Sequence, residues 1–380
     1  MPMRLITLSI FLALALVACG DGDSPGGLQG TGGGDGTRDP SGGSIQTLTH
    51  SYDPIFLGTD DGQREVSGVC QTWVLDNDEP LYVKRVAQSN DGGWHHSNWF
   101  FVPEDAYLPD HDKEGPDAKV EGTWRCRDRG FREYLAAAAG GVFFAQSTQT
   151  LGEFQEFPDG AALEIPPRSM IVGSVHLLNI SAGPMESGLT MEVETVAKED
   201  VDTRLTLYSF SNGSLSIPPA RDGVPTESRF SMTCDLTEAF ESNFGTDPDY
   251  NVYYVLAHYH EWGNYFNLSF EHEDGSRDTI LELKNSVGEP LGKTIDPPMN
   301  NNGAHKLSVD CGYLNNTDRT LVYGLGGQEM CVFLAYTDAN LKVGVSGGPN
   351  HEMGEDENGV LLNETECGPI TAFRAYADEF

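Results

Sequence analysis

The chain has 380 residues, room for two or three domains at roughly 100–200 residues each. It carries 23 Lys+Arg against 58 Asp+Glu, a formal charge of −35. A surface this acidic excludes nucleic acid and anionic lipid as recognition partners, because both select basic patches. Hydrophobic residues make up 38 %, with 44 Gly besides, an ordinary globular share that excludes global disorder.

Arg4 is followed by an apolar run from Leu5 to Ala18 and then by Cys19. The run has the length of a secretory h-region and is too short to span a bilayer. Leu16-Val17-Ala18-Cys19 resembles the bacterial lipobox. The resemblance implies that residues 1–18 are a signal peptide and that Cys19 carries the lipid. The expected location is therefore the periplasmic or cell-surface face of a bacterial membrane, with the anchor as the sole membrane contact, and there disulfides are permitted. Residues 19–45 read as a flexible tether. Positions 20–44 hold 11 Gly among Asp, Ser, Thr and Pro, too little apolar surface to order a segment. Such a chain spans roughly 25–30 Å on average.

From residue 46 the pattern is mostly of period two. Arg132–Ala139 is the one short helical stretch, stopped by Gly140-Gly141. Arg204–Phe210 alternates, Ser211–Ser214 turns, and Leu215–Ile217 follows. Val252–His260 and Leu321–Tyr336 are further strand candidates. Phe266–His272 and Thr279–Leu283 form a hairpin about Asp274-Gly275. Many short strands with turn signals and little helix point to an all-β fold of two tandem antiparallel, jelly-roll-like β-sandwiches. The polar stretch 185–205 is the expected boundary, giving domains of 46–195 and 196–380. Without Cys19 six cysteines remain: Cys70, Cys126, Cys234, Cys311, Cys331 and Cys367. An even number with no CxxC spacing favours three disulfides over metal thiolates, with the pairing open at this point.

Five of the ten His stand in suggestive settings. His258 and His260 share one face of a strand, which allows both imidazoles to reach one metal. His95 and His96 would face opposite ways on a regular strand. Joint ligation needs a bulge or a strand end, which Gly92-Gly93 permits. His176, in an apolar stretch, reads by itself as a hydrogen-bonded core residue. His111 and His351 read as solvated loop residues, and His50, His272 and His305 as surface ones. No GxSxG elbow, phosphate-binding loop, HExxH or dinucleotide fingerprint occurs.

Taken in order, His95-His96, His176, His258-x-His260 and Gly326-Gly-Gln-Glu-Met-Cys331 resemble the copper type II, ascorbate-dependent monooxygenases, which include peptidylglycine α-hydroxylating monooxygenase and dopamine β-monooxygenase. Phe157–Gly160 and Ile165–Ser169 ahead of Val175-His176 resemble that family's turns before its His-bearing strand. The resemblance covers about residues 50–380. It implies one copper on His95, His96 and His176, and a second, catalytic copper on His258, His260 and Met330, each on one sandwich and facing a cleft. It implies ascorbate or another one-electron reductant, O2 and a small substrate hydroxylated at a C–H bond by a monomer. It also implies the bridges Cys70–Cys126, Cys311–Cys331 and Cys234–Cys367. The donor chemistry agrees, since imidazole suits copper or zinc and a thioether selects Cu(I). The sequence departs from the family at Ser97, where the animal enzymes carry Met, and at Leu256, where the peptide-amidating enzyme has a substrate-anchoring Arg. Val332 and Leu334 replace its Asn and Tyr, with Tyr336 two residues further on. Recognition of a peptide carboxylate is therefore not carried over, and the apolar replacements favour an apolar or aromatic substrate. The alternative expectation is a non-catalytic copper-binding or redox-sensing surface lipoprotein.

Overall fold

The structure, a computed structural model, describes residues 36–38, 44–60, 62–104, 121–147, 149–284, 291–324 and 327–377. Residues 1–18, Cys19 and His111 lie outside the described residues. The fold is all-β, with sandwiched sheets and, among the described residues, two short α-helices.

The N-terminal half is built from two sheets. One runs, edge to edge, Gly122–Arg125, Glu65–Val74, Met170–Leu178, Trp94–Val102 and Gly141–Ala145. The other is centred on Ser44–Leu57, Met185–Val196, Leu81–Asn90 and Ala161–Ile165. Their inner faces share one core, in which Trp99, Ile171 and Phe144 meet Val83, Val86, Met191 and Val193. Most of the polar stretch read above as the domain boundary is a strand of the second sheet, because its polar residues alternate with buried ones. In Met185–Val196 nearly every second residue is buried, so one face meets the core and the other water. Within the stretch expected to be tether, residues 36–38 pair with 44–46, so backbone pairing at a sheet edge orders part of this glycine-rich chain.

Thr203–Arg204 still pairs with Ala161–Ala162 of the first half, and the third sheet begins at Thr206. That sheet has ten strands and curls in a barrel-like way around a second core containing Phe230, Phe266, Tyr313 and Phe333. Hairpin Gly263–Glu271 with Arg277–Leu283 turns through Gly275, whose φ of +81° suits glycine. The Leu321–Tyr336 stretch is two strands, Leu321–Val322 and Val332–Thr337, joined by the segment that carries Glu329 and Met330.

The two halves are packed together. Leu207, Tyr254, Leu256, Leu334 and Tyr336 of the third sheet belong to the core of the first half. Phe157 stands 5.0 Å from Tyr336 and 6.0 Å from Tyr254, ring to ring. Tyr336 Oη donates to the Val142 carbonyl at 3.1 Å. Full burial of side chains of this size contributes about 1.5–3 kcal/mol each, so this joint is part of the fold.

Helix α1, Glu133–Ala139, ends at Gly140, where a side chain would collide with the Phe101 carbonyl. Disulfides join Cys70 to Cys126, Cys234 to Cys367 and Cys311 to Cys331.

Candidate metal centre

The five histidines singled out above come from both halves and converge at the joint. His96 and His176 are direct partners on neighbouring strands, and the next pair along is Leu177 with Trp94. His95 is thus the extra residue of a β-bulge. The bulge cancels the usual alternation, so adjacent imidazoles meet on one side. Gly92 and Gly93, at φ +101° and +76°, make the turn that feeds it. His258 closes the strand Asn251–His258, and His260 follows two residues on. Tyr259 between them points the other way, into the second core.

The resemblance places the two donor sets on separate sandwiches facing a cleft. In the structure they form one cluster instead. Ring centroids lie 4.9 Å apart for His96–His176, 5.0 Å for His95–His176 and 5.1 Å for His258–His260. Between the sets, His96–His258 is 5.7 Å and His95–His260 is 5.8 Å. The packed joint closes the gap.

Most of these imidazoles are held in one tautomer. His258 Nδ1 is 3.0 Å from the Ser147 carbonyl and His260 Nδ1 is 2.8 Å from the Gln328 carbonyl. A carbonyl only accepts, so each Nδ1 carries the hydrogen and each Nε2 keeps its lone pair. His260 Nε2 is buried with no hydrogen-bond partner. His176 Nε2 donates to Glu65 Oε1 at 2.6 Å, leaving its Nδ1 facing His96 Nε2 at 3.1 Å. His95 Nδ1 lies 3.4 Å from Gln149 Oε1. Burial, reinforced by the neighbouring imidazoles, holds His95 below and His96 well below the usual imidazole pKa. Burial lowers His258 to about 4 and His260 to about 3. His95, His96, His258 and His260 are thus held neutral at pH 7, the form that binds a metal.

Glu329 ties the remaining pieces together. Its buried carboxyl accepts the backbone N–H of His260 at 2.9 Å, of Trp262 at 2.8 Å and of Met330 at 3.2 Å. Burial pushes its pKa up to about 7 against the pull of these donors. Met330 is buried, its carbonyl accepts from Tyr313 Oη at 2.6 Å, and Cys331 beside it is bridged to Cys311.

Among the described residues, no three His, Cys, Asp or Glu side chains form a ready coordination set. His96 and His176 direct their facing nitrogens at each other, and His176 gives its second nitrogen to Glu65. The donor set nevertheless fits a metal in three respects. Two ligand atoms about 2.0–2.1 Å from a shared ion stand about 2.9–3.4 Å apart, and the His96–His176 nitrogens are 3.1 Å apart. His260 Nε2 is an orphaned buried acceptor. Carbonyl or carboxylate acceptors on the far ring nitrogens are the usual support of metal-bound histidine.

A cavity of about 410 Å³ opens beside the cluster, between the halves, with His96, His176, His258 and Met330 in its wall. Leu256, Val332 and Leu334, the positions that depart from the family, line it as well. Tyr336 is not in the lining and serves the joint. The other described histidines have ordinary settings. His50 stacks on Trp73, His272 pairs with Asp278, His305 meets Thr237 and His351 meets Glu366. Sequence reasoning missed Glu65, Ser147 and the cavity; Glu329 stood in the quoted motif without a role.

No family model and no curated sequence matches the chain. Among solved structures it is similar to PNGase F, a glycosylasparaginase from Flavobacterium meningosepticum, at 9 % identity and a TM-score of 0.31 over 86 % of this chain and 99 % of that one. It is also similar to the major capsid protein P2 of bacteriophage PM2, at 10 % identity and a TM-score of 0.26 over 75 % and 97 %. Likeness at this level carries no functional argument.

Proposed function

We propose that the chain is a copper-dependent monooxygenase. His95, His96 and His176 would hold one copper, and His258, His260 and Met330 a second. Ascorbate or another one-electron reductant would drive it, and Cys19 would anchor it on an exported face. The observation that carries this reading is the convergence of five imidazoles from three separate strands, with Met330 in the adjoining cavity wall. Nitrogen donors with one thioether favour copper over hard cations. Bound copper would supply the one-electron chemistry that lets O2 attack a C–H bond. The chain's own contribution is to keep His95, His96, His258 and His260 neutral, fix tautomers through Glu65, Ser147 and Gln328, and hold a substrate carbon in the largely apolar cavity.

The test is copper per chain together with ascorbate-dependent oxygen consumption, repeated with His260→Ala and Met330→Ile. Two coppers in the wild type, fewer in His260→Ala, and oxygen uptake lost in both variants are expected. Unchanged copper content after replacement of all six residues would overturn the reading. Stoichiometric copper with no ascorbate-linked uptake over a broad substrate panel would favour the non-catalytic copper lipoprotein.

A further inference from the structure

The cavity has two chemically different ends. One carries His96, His176, His258 and Met330; the other carries Lys342. Between them Phe100, Val142, Leu207 and Leu334 line the walls, interrupted by Asn98 and Ser209. Lys342 donates to the Gly140 carbonyl and stands over the Phe373 ring at 5.9 Å. No carboxylate among the described residues pairs with it. Burial pushes its pKa down to about 8, the mark of an ammonium taken out of water without a counter-ion.

The register of both walls measures the separation. On the N-terminal wall, Gly141 beside Gly140 pairs with Phe101, five residues along its strand from His96. On the C-terminal wall, Tyr208 pairs with Val343, next to Lys342, while Ser211 pairs with Val332, the partner of His258. Leu207 is thus level with Lys342, four residues from Ser211. At about 3.3 Å per residue the two walls agree on roughly 13–17 Å.

The charge at this cavity is also opposite to that of the molecule. The chain has 58 acidic residues to 23 basic ones, yet among the described residues Arg125, Arg127, Arg132 and Lys342 line the cavity with one carboxylate, Glu133, while Arg127 also pairs with Asp128. A low-dielectric cleft lined by one sign of charge concentrates the opposite sign.

We propose that the cavity takes an amphipathic carboxylate, an alkyl or aryl acid whose carboxylate pairs with Lys342 and whose apolar end lies against the His96–His258–Met330 wall. One ammonium with two donors left beyond the Gly140 carbonyl suits a single monoanionic head. The apolar body matches the walls, and the register sets which end faces the imidazoles. That the far end is the oxidised end rests on the copper reading; the binding itself does not.

The experiment is calorimetric titration of the full chain, with and without copper, using decanoate and decan-1-ol as probes. Decanoate should bind roughly tenfold or more tightly than the alcohol in both forms. Lys342→Met should erase that preference while leaving alcohol binding and copper content unchanged, and Lys342→Arg should keep it. Equal affinity for the two probes in the wild type, no binding of either, or an undiminished preference in Lys342→Met overturns the proposal. Copper content is read separately, so a chain that binds decanoate but no copper would sink the monooxygenase reading and leave the carboxylate site standing.

Discussion

In the C-terminal half of the cluster the imidazoles lean on the backbone; in the N-terminal half they lean on side chains. His258 and His260 give their Nδ1 hydrogens to the carbonyls of Ser147 and Gln328, and buried Glu329 gathers the backbone of His260 and Met330. His176 depends on Glu65, whose side chain is 48 % exposed, and His95 on an exposed, long contact with Gln149. The Ser147 and Gln328 carbonyls lie just outside strands but are tethered, Ser147 by its N–H to buried Glu153 and Gln328 by its side chain accepting from Val322 N–H, whereas half-exposed side chains have several positions. The C-terminal donors are therefore the pre-set part of the site and the N-terminal donors the adjustable part. Such a division suits a site in which one metal must keep its geometry while the other is tuned by its surroundings.

The sharpest way to break this comparison is Glu329→Gln. Glutamine accepts on one end only, so at least one of the three N–H donors is left unsatisfied in a buried place, at a cost of about 1–3 kcal/mol. Copper affinity at the His258, His260 and Met330 end should fall toward the upper part of the roughly 10–100-fold range seen when outer partners of metal ligands are lost. Competition titration against a chelator measures it, and a loss smaller than that of Glu65→Gln would reverse the ranking of the two halves. Glu65→Gln itself should cost about tenfold and act on the His176 end alone, visible as a change in one copper signal and not the other.

The smallest effect probes the N-terminal sandwich away from the metal. His50 stacks on Trp73 at 4.9 Å and meets Tyr52 edge-on at 4.5 Å. Burial lowers its pKa to about 4, while an unfolded histidine takes its proton near 6.5. Between those values the unfolded state binds more protons, so stability is lost as the pH falls from about 6.5 to about 4. His50→Gln should flatten that dependence modestly, as read from urea midpoints at several pH values. Identical pH slopes for wild type and variant would remove His50 from the account.

Much of the site was legible because its logic is local. The His95-His96 pair behind Gly92-Gly93 is a bulge signal, and His258-x-His260 is a strand-face signal; both need only a few neighbouring residues. The strands from Arg204 onward were legible for the same reason, since alternation records which face meets the core, whereas those of the N-terminal half were read only as mostly β. The single cluster was not. Whether two donor sets face each other across a gap or touch depends on how Phe157, Tyr254 and Tyr336 pack at the joint, which is fixed by residues far apart in the chain. Glu65 lies 111 residues from His176 and carries no local mark. Lys342 sits in an alternating strand where a lysine reads as a solvent-facing residue, and only the docking of Gly140 over it puts it in a cavity.

The proposed function has donors from both halves holding two coppers within one cluster. Its most direct test is the electron paramagnetic resonance spectrum of the protein loaded with two equivalents of Cu(II). Donor sets in contact predict strong dipolar coupling between the two ions, lost in His96→Ala. Two independent, uncoupled Cu(II) signals would contradict the account.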